Sequence, residues 1–334
     1  MIDSQRRRLL QLALASATLA AFPGLGLAAA GGLRMAAPLG LPQVILARAL
    51  QDARLLKLIG ESELRTWRDP DQLRAWIAGG EVQLTATPTN VAANLYNRGV
   101  PVVLLNVNVW GTLGILAHGV PLASLAELAG RHVGVPWRGD MPDLVLRYLL
   151  AREGLEVGRD LRITYQASPF ETVQTFLAQR IDAAVLPEPV RTSARLQTAS
   201  LGLTVAELDL QQEWARLTGA APALPQAGTI CRRELLEAHP EWVAAIQVAV
   251  AEAVAWVASN PAEAGQLGAQ HSPLPAQVIE GAILRTRLEM RSAAQARTEL
   301  EGFLGALAEL SPGFIGGGLP DEGFYLVDGP AAAG

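Results

Sequence analysis

The chain is poor in the residues that metal and redox chemistry need. It has one cysteine, Cys231, and four histidines, His118, His132, His239 and His271, dispersed over 334 residues. A single cysteine excludes an internal disulfide, a multi-cysteine metal site and a lipid-accepting cysteine at the end of a leader. The histidines lack the paired spacing of a zinc site. Flanked by Ile230 and Arg232, Cys231 reads as a small core residue. Neither charge dominates: 27 basic and 32 acidic residues give a net charge of −5, and no basic run follows the first ten residues. That balance argues against nucleic acid as a partner, which wants a concentrated basic face. After the leader no stretch reaches eighteen uninterrupted apolar residues, so the mature chain is expected to be soluble.

What is present begins with the leader. "SQRRRLLQLALASATLAAFPGLGLAAAGG" has a basic start, an apolar middle, a Pro-Gly break and a small-residue end. This is the three-part build of an export signal, with cleavage expected near Ala30. Arg6-Arg7 ahead of Arg8-Leu9-Leu10 resembles a twin-arginine signal. Export by the Sec route is the alternative, and an uncleaved anchor is a third possibility that Pro23 and the glycines disfavour.

With 50% hydrophobic and 18% charged residues, the chain has enough apolar content for two ordinary domains. Short apolar strands alternate with amphipathic helices, which argues for α/β layers with largely parallel sheets. "LRMAAP", "ELRTW" and "VQLTAT" read as strands, with "QVILARALQDA", "DPDQLRAWIAGG" and "TNVAANLYNRG" as the helices after them. "PVVLLNVNVWG" and "TLGILAHG" are consecutive strand candidates. A second series follows from Pro121: helix "LASLAELAG", strand "HVGVPW", helix "MPDLVLRYLLAREGL", strand "LRITYQA", helix "PFETVQTFLAQR" and strand "DAAVLP". After "LGLTVAEL" the character changes to long helices. In one of these, Val243, Ile246, Val250, Val254 and Val257 form a buried stripe.

Two segments echo each other. "GEVQLTATPTNVAANL" and "QRIDAAVLPEPVRTSA" both run helix end, short strand, proline, new helix, with Pro88 matching Pro187. The echo implies two similar lobes, each presenting a strand-end-to-helix-start turn. Ligands of open α/β sheets bind outside the carboxyl ends of strands, where helix starts offer N–H groups.

These ordered segments, together with "LAELAGRHVGVPWRGDMPDLVLRYLLAREGL" and "ELLEAHPEWVAAIQVAVAEAVAWVASNPAEA", resemble the periplasmic substrate-binding proteins of ABC importers. The branch resembled includes binders of nitrate, taurine, alkanesulfonates and thiamine precursors. The resemblance spans nearly all of the mature chain. It implies an α/β fold of the two-lobed type II periplasmic binding class, with residues 31–112 and 207–334 in one lobe and 113–206 in the other. Hinge crossings are expected near Trp110 to Gly114 and Leu203 to Leu208. It further implies a small-molecule ligand (organic, anionic or flat), a partner permease with its ATPase, a monomer, and no cofactor. The same fold hosts lyases and a pyrimidine-forming family, and it also serves ligand sensors. The only acid–base pair this chain offers an enzyme is Glu188 with Asp140, and the export signal argues against a cytoplasmic enzyme.

By the family's pattern, ligand contacts come from loops after strands. The expected contacts are Leu39, Gly40, Trp67, Thr87, Thr89, Asn90, Trp110, Trp137, Arg138, Gly139, Asp140, Met141, Phe170 and Glu188. "VPWRGDMPD" is the most informative stretch: Gly139 permits close approach, Asp140 can cap, and Arg138 can clamp a carboxylate, sulfonate or nitrate. The bland alternatives are a solvent-facing Arg138, a purely capping Asp140 or Asn90, and tryptophans that close a core. Glu188, between Pro187 and Pro189, is expected to hydrogen-bond the ligand, to bridge the lobes, or only to favour the helix start.

Overall fold

The computed structural model describes residues 32–119 and 121–327; the expected export signal and its cleavage near Ala30 lie outside them. Two sheets organise the chain. The first contains β1 (Arg34–Pro38), β2 (Glu63–Trp67), β3 (Leu84–Pro88), β4 (Val102–Val109), β10 (Ala227–Arg232) and β11 (Leu288–Ser292), in the order β11-β4-β10-β3-β1-β2. The second contains β5 (Leu113–His118), β6 (His132–Pro136), β7 (Arg162–Gln166), β8 (Ala183–Pro187) and β9 (Val205–Asp209), in the order β7-β6-β8-β5-β9.

Both sheets share one plan. A parallel triad, β2-β1-β3 or β7-β6-β8, is continued by an antiparallel strand. In the first sheet that strand is β10, with Ala227 opposite Pro88; in the second it is β5, with Leu113 opposite Pro187. The echoing segments therefore occupy equivalent places: β3 and β8 are both third in their triads, and both end on the matched prolines. The added strands come from across the boundary, since β5 follows β4 of the first sheet and β10 follows β9 of the second.

The inner strands of each sheet are buried, as sheets flanked by helices require, whereas the outer strands β2, β7, β9 and β11 are polar and only partly buried. β4 is buried along its whole length. Proline stands in the first turn of the helices Leu41–Ala49, Pro70–Ala78, Met141–Glu153 and Pro169–Leu177, where its fixed φ suits the start. Side chains of Asp69, Asp140 and Ser168 accept hydrogen bonds from Gln72, Met141 and Glu171 N–H and so cap three of these starts. The helix Pro240–Ser259 buries the expected stripe of Val243, Ile246, Val250, Val254 and Val257, with Ala249 and Ala253 filling the gaps.

Several expectations shift. "LASLAELAG" forms only a 3₁₀ turn at Leu125–Leu128. The C-terminal part is less purely helical than its composition implies, because β10 and β11 complete the first sheet. β9 carries the second sheet to Asp209, so the boundary expected at 206 falls inside a strand. The first crossing lies between Val109 and Leu113. The second is a longer stretch after Asp209 that includes the helix Leu210–Thr218 and leads into β10, beyond the expected 203–208.

The two crossings are laced together. Gln211 Nε2 donates to Leu113 O at 3.1 Å, and Thr112 N donates to Gln226 Oε1 at 2.6 Å. Gly111 sits between them at φ +105, and a Cβ there would lie 2.3 Å from Gln211 Cγ. Cys231 is fully buried in β10, and burial pushes its thiol pKa up to about 12.

Candidate functional site

The carboxyl ends of β1, β3, β6 and β8 converge on a cavity of about 160 Å³ between the sheets. From the first sheet's side come Pro38, Leu39, Gly40, Leu41 and Pro42 after β1, Pro88 and Asn90 after β3, Val109 at the end of β4, and Gln226 and Ala227 entering β10. From the other side come Thr112 and Leu113 at the first crossing, Trp137, Asp140, Met141 and Pro142 after β6, and Pro187 and Glu188 after β8. Of the expected contacts, Leu39, Gly40, Asn90, Trp137, Asp140, Met141 and Glu188 are brought together here. Gly40 holds φ +126, and a Cβ on it would lie 3.3 Å from Pro189 Cδ, so the β1 turn and the β8 turn pack directly on each other.

Trp137 is the unusual wall. It is 41% exposed, which is high for the largest apolar side chain, and its backbone lies in the left-handed region at φ +56. Such a conformation costs about 1–3 kcal/mol in a bulky residue and tends to persist at functional positions. It is fixed by two hydrogen bonds: Trp137 N donates to Gln166 O, and Trp137 O accepts from Asp140 N, both at 3.0 Å.

Asp140 joins the two sides. Its Oδ1 accepts from Met141 N at 2.7 Å and from Asn90 Nδ2 at 3.1 Å, the second bond reaching from the helix after β3 to the helix after β6. Burial raises the Asp140 pKa above its ordinary value, while those two bonds and the charge of Arg74 pull the other way.

Glu188 reaches the cavity wall, but its side chain is fully buried and engaged within its own lobe. Oε1 accepts from Arg191 Nε at 2.9 Å and Oε2 accepts from Thr192 N at 3.0 Å, so the carboxylate closes the first turn of the helix Val190–Ser200. Gly114 makes room for this, because a Cβ there would lie 1.6 Å from Arg191 Nη1. Arg191, the partner that explains Glu188, has no expected role in the sequence reading; an acid and a base three apart at a helix start was its available signal.

The remaining expected contacts lie elsewhere. Trp67 is buried and donates its indole N–H to Ala86 O at 3.3 Å. Trp110 is buried beneath β11, with its indole N–H donated to Glu289 O at 2.7 Å and the Arg291 guanidinium 4.4 Å from its ring centroid. Thr89 donates its hydroxyl to Pro225 O at 2.6 Å, and Thr87 is wholly buried in β3. Phe170 is 45% exposed and lines no part of the cavity. Arg138 and Gly139 face a neighbouring groove of about 300 Å³, which also receives Arg74 and Arg98 and shares Asn90 and Asp140 with the cavity. The Arg138 guanidinium stands 5.3 Å from the Tyr165 ring centroid.

Helix starts in general offer N–H groups, but the "VPWRGDMPD" turn uses several of its own. Gly139 N donates to Asp143 Oδ2, Asp140 N to Trp137 O and Met141 N to Asp140 Oδ1, while Pro142 has no N–H. Three of the turn's N–H groups, those of Gly139, Asp140 and Met141, are therefore satisfied from within it. Thr112, Gln226 and the start of β10 were not foreseen as cavity walls, because β10 joins the first sheet from a part of the chain whose helical pattern masked it.

Among the described residues no group of three His, Cys, Asp or Glu side chains is placed to hold a metal ion. Comparison with solved structures shows the fold. An ABC transporter protein from Parabacteroides distasonis superposes with a TM-score of 0.76 at 23% identity, covering 89% of this chain and 99% of that one. The periplasmic aliphatic sulphonate binding protein SsuA from Escherichia coli gives 0.67 at 20% identity, covering 83% of this chain and 87% of that one. The periplasmic nitrate-binding protein NrtA from Synechocystis gives 0.63 at 17% identity, covering 84% and 81%. The fold is therefore the type II periplasmic binding fold, α/β and two-lobed, as expected from the sequence. No curated protein sequence matches the chain. The model of the NMT1-like family matches residues 77–270, more than half of the chain, and the chain belongs to that family.

Proposed function

We propose that this protein is the extracytoplasmic solute-binding component of an ABC uptake system. It captures a small organic molecule between its lobes and presents it to a permease that works with an ATPase. The lobes are residues 32–109 with the chain from β10 onward, and residues 113–209 with the helix that follows. The observation that carries the reading is Trp137, a half-exposed tryptophan in a left-handed conformation at the wall of a cavity bounded by both sheets. Ligand contacts with both lobes favour the closed arrangement, which is the state a permease distinguishes. The laced crossings at Gly111, Thr112, Gln211 and Gln226 are the hinge. No chemistry on the ligand is needed, so the protein is a binder rather than an enzyme, and it acts as a monomer exported to the periplasm.

The test is a thermal-shift screen against sulfonates, carboxylates, nitrate, pyrimidines, aromatic acids and amines. A ligand at 100 times its dissociation constant stabilises the fold by about 2.7 kcal/mol. Trp137→Ala is expected to abolish the shift. A hit whose effect survives Trp137→Ala, or a screen without hits, would count against capture in this cavity.

A further inference from the structure

Gln226 stands where the second crossing enters β10, and its backbone is pinned to the first sheet. Its N–H donates to Val109 O and its carbonyl accepts from Thr89 N, both at 3.0 Å. The Thr89 hydroxyl also holds the preceding carbonyl, Pro225 O, at 2.6 Å. The side chain then reaches the other crossing, where Oε1 accepts from Thr112 N at 2.6 Å. That bond fixes the orientation of the amide, because only its oxygen can accept from an N–H. Nε2 is left as the one polar atom of Gln226 without a partner among the described residues. It is reached by solvent rather than sealed in the core, and Gln226 lines the cavity.

Other donors at the cavity are open as well. The backbone N–H groups of Gly40, Leu41 and Asn90 have no acceptor among the described residues. No arginine or lysine lines the cavity. With Nε2 these make four uncharged donors, all from the first sheet's side. The second sheet's side brings the apolar walls Leu113, Trp137 and Met141, while Glu188 is neutralised by Arg191. Donors already fixed by the fold lose little freedom on binding, so a ligand oxygen meets them at small ordering cost.

We propose that Gln226 is a ligand-contacting residue that couples capture to the hinge: Nε2 donates to an oxygen acceptor of the captured molecule while Oε1 keeps its hold on Thr112. The inference rests on the capture reading above and deepens it. Thr112 is followed by Leu113, which pairs with Pro187 and begins β5 of the second sheet. One planar amide therefore meets the ligand with its nitrogen and, with its oxygen, the crossing that carries the second lobe. A molecule that takes Nε2 favours the amide orientation that holds Thr112, and with it the lobe arrangement in which both bonds are made. Glutamine suits this double task because an amide donates and accepts at once, whereas an ionised carboxylate only accepts. Carbonyl, carboxylate and sulfonate oxygens share the acceptor chemistry that Nε2 requires.

Benzamide, benzoate and benzenesulfonate present these three kinds of oxygen on the same ring. Isothermal titration of the full chain with each, repeated on Gln226→Glu and Gln226→Met, tests the inference. Glutamate keeps an oxygen for Thr112 N and loses the donor; methionine loses both and adds no charge. At least one probe is expected to bind, its head group naming the class of oxygen, and both variants to weaken it about tenfold, the loss of one good hydrogen bond. Gln226→Glu is expected to keep the wild-type melting temperature and Gln226→Met to lower it, which separates the donor from the clamp. Binding that survives Gln226→Glu overturns the inference, since only the clamp then matters. Binding lost in Gln226→Glu but kept in Gln226→Met overturns it too, since only charge repulsion is at work. In both cases a probe that is lost on Trp137→Ala leaves capture in the cavity standing. If none of the three binds, the inference is overturned, and capture is decided by its own wider screen.

Discussion

Glu188→Gln removes one charge from a pair that has almost no water to turn to. The side chains of Arg191 and Glu188 are 4% and 0% exposed, and the guanidinium Nε lies 2.9 Å from Oε1. Removing one partner of a buried pair leaves the other charge uncompensated and costs about 3–5 kcal/mol. That is a large part of a total stability of about 5–15 kcal/mol. With a urea m-value of about 3 kcal/mol per M, the unfolding midpoint is expected to fall by about 1–1.7 M. Arg191→Met should cost a similar amount by stranding the carboxylate. The double variant Glu188→Leu with Arg191→Met removes both charges and is expected to recover to within about 2 kcal/mol of the wild type, because apolar replacements of a buried pair are often close to neutral. Urea unfolding followed by tryptophan fluorescence measures all three. Single variants that cost less than about 1 kcal/mol, or a double variant as unstable as the sum of the singles, would refute a structural role for this pair.

Three further outcomes follow from single residues. Gly228→Ala places a Cβ 1.9 Å from the Asn106 carbonyl oxygen, where β10 and β4 meet at a register shift, so overpacking against backbone should cost about 1–3 kcal/mol or more in the same unfolding assay. Burial holds the Asp140 carboxyl above its ordinary 3.8, so the unfolded chain loses this proton at lower pH than the folded one, and stability falls as pH rises through that window. Asp140→Asn is therefore expected to gain on the wild type between pH 3.5 and pH 7, measured as a melting-temperature difference; a difference that does not change with pH would contradict it. Cys231, fully buried with its thiol pushed up to about 12, should resist a thiol reagent at pH 8 until urea unfolds the chain; rapid labelling of the native protein would show the core is open there.

Much of this architecture was legible because it is written in local chemistry. Pro88 and Pro187 mark the ends of equivalent strands, and prolines and caps mark the helix starts. The valine spacing of Pro240–Ser259 marks its buried face. What escaped depends on long-range pairing. β11 covers Trp110 and takes its indole N–H, which decides for the core between the pocket and core readings left open for a tryptophan at a strand end. Trp67, also at a strand end, is buried with its N–H paired, whereas Trp137 stands out through its positive φ, which sequence does not reveal. Glu188 left three readings open, a ligand bond, a lobe bridge or the helix start, and the folded chain shows it closing the helix start with Arg191 folded back upon it. The self-satisfied turn at Gly139 to Met141 was hidden for the same reason: the acceptors that occupy its N–H groups include Asp143, one helical turn away.

A crystal structure of the protein with the most stabilising compound from the ligand screen tests the central claim most directly. Density for that compound is expected between the Leu39–Gly40 turn and the Trp137–Met141 turn, in contact with residues of both sheets. A ligand seated elsewhere, or touching one lobe alone, would contradict capture between the lobes.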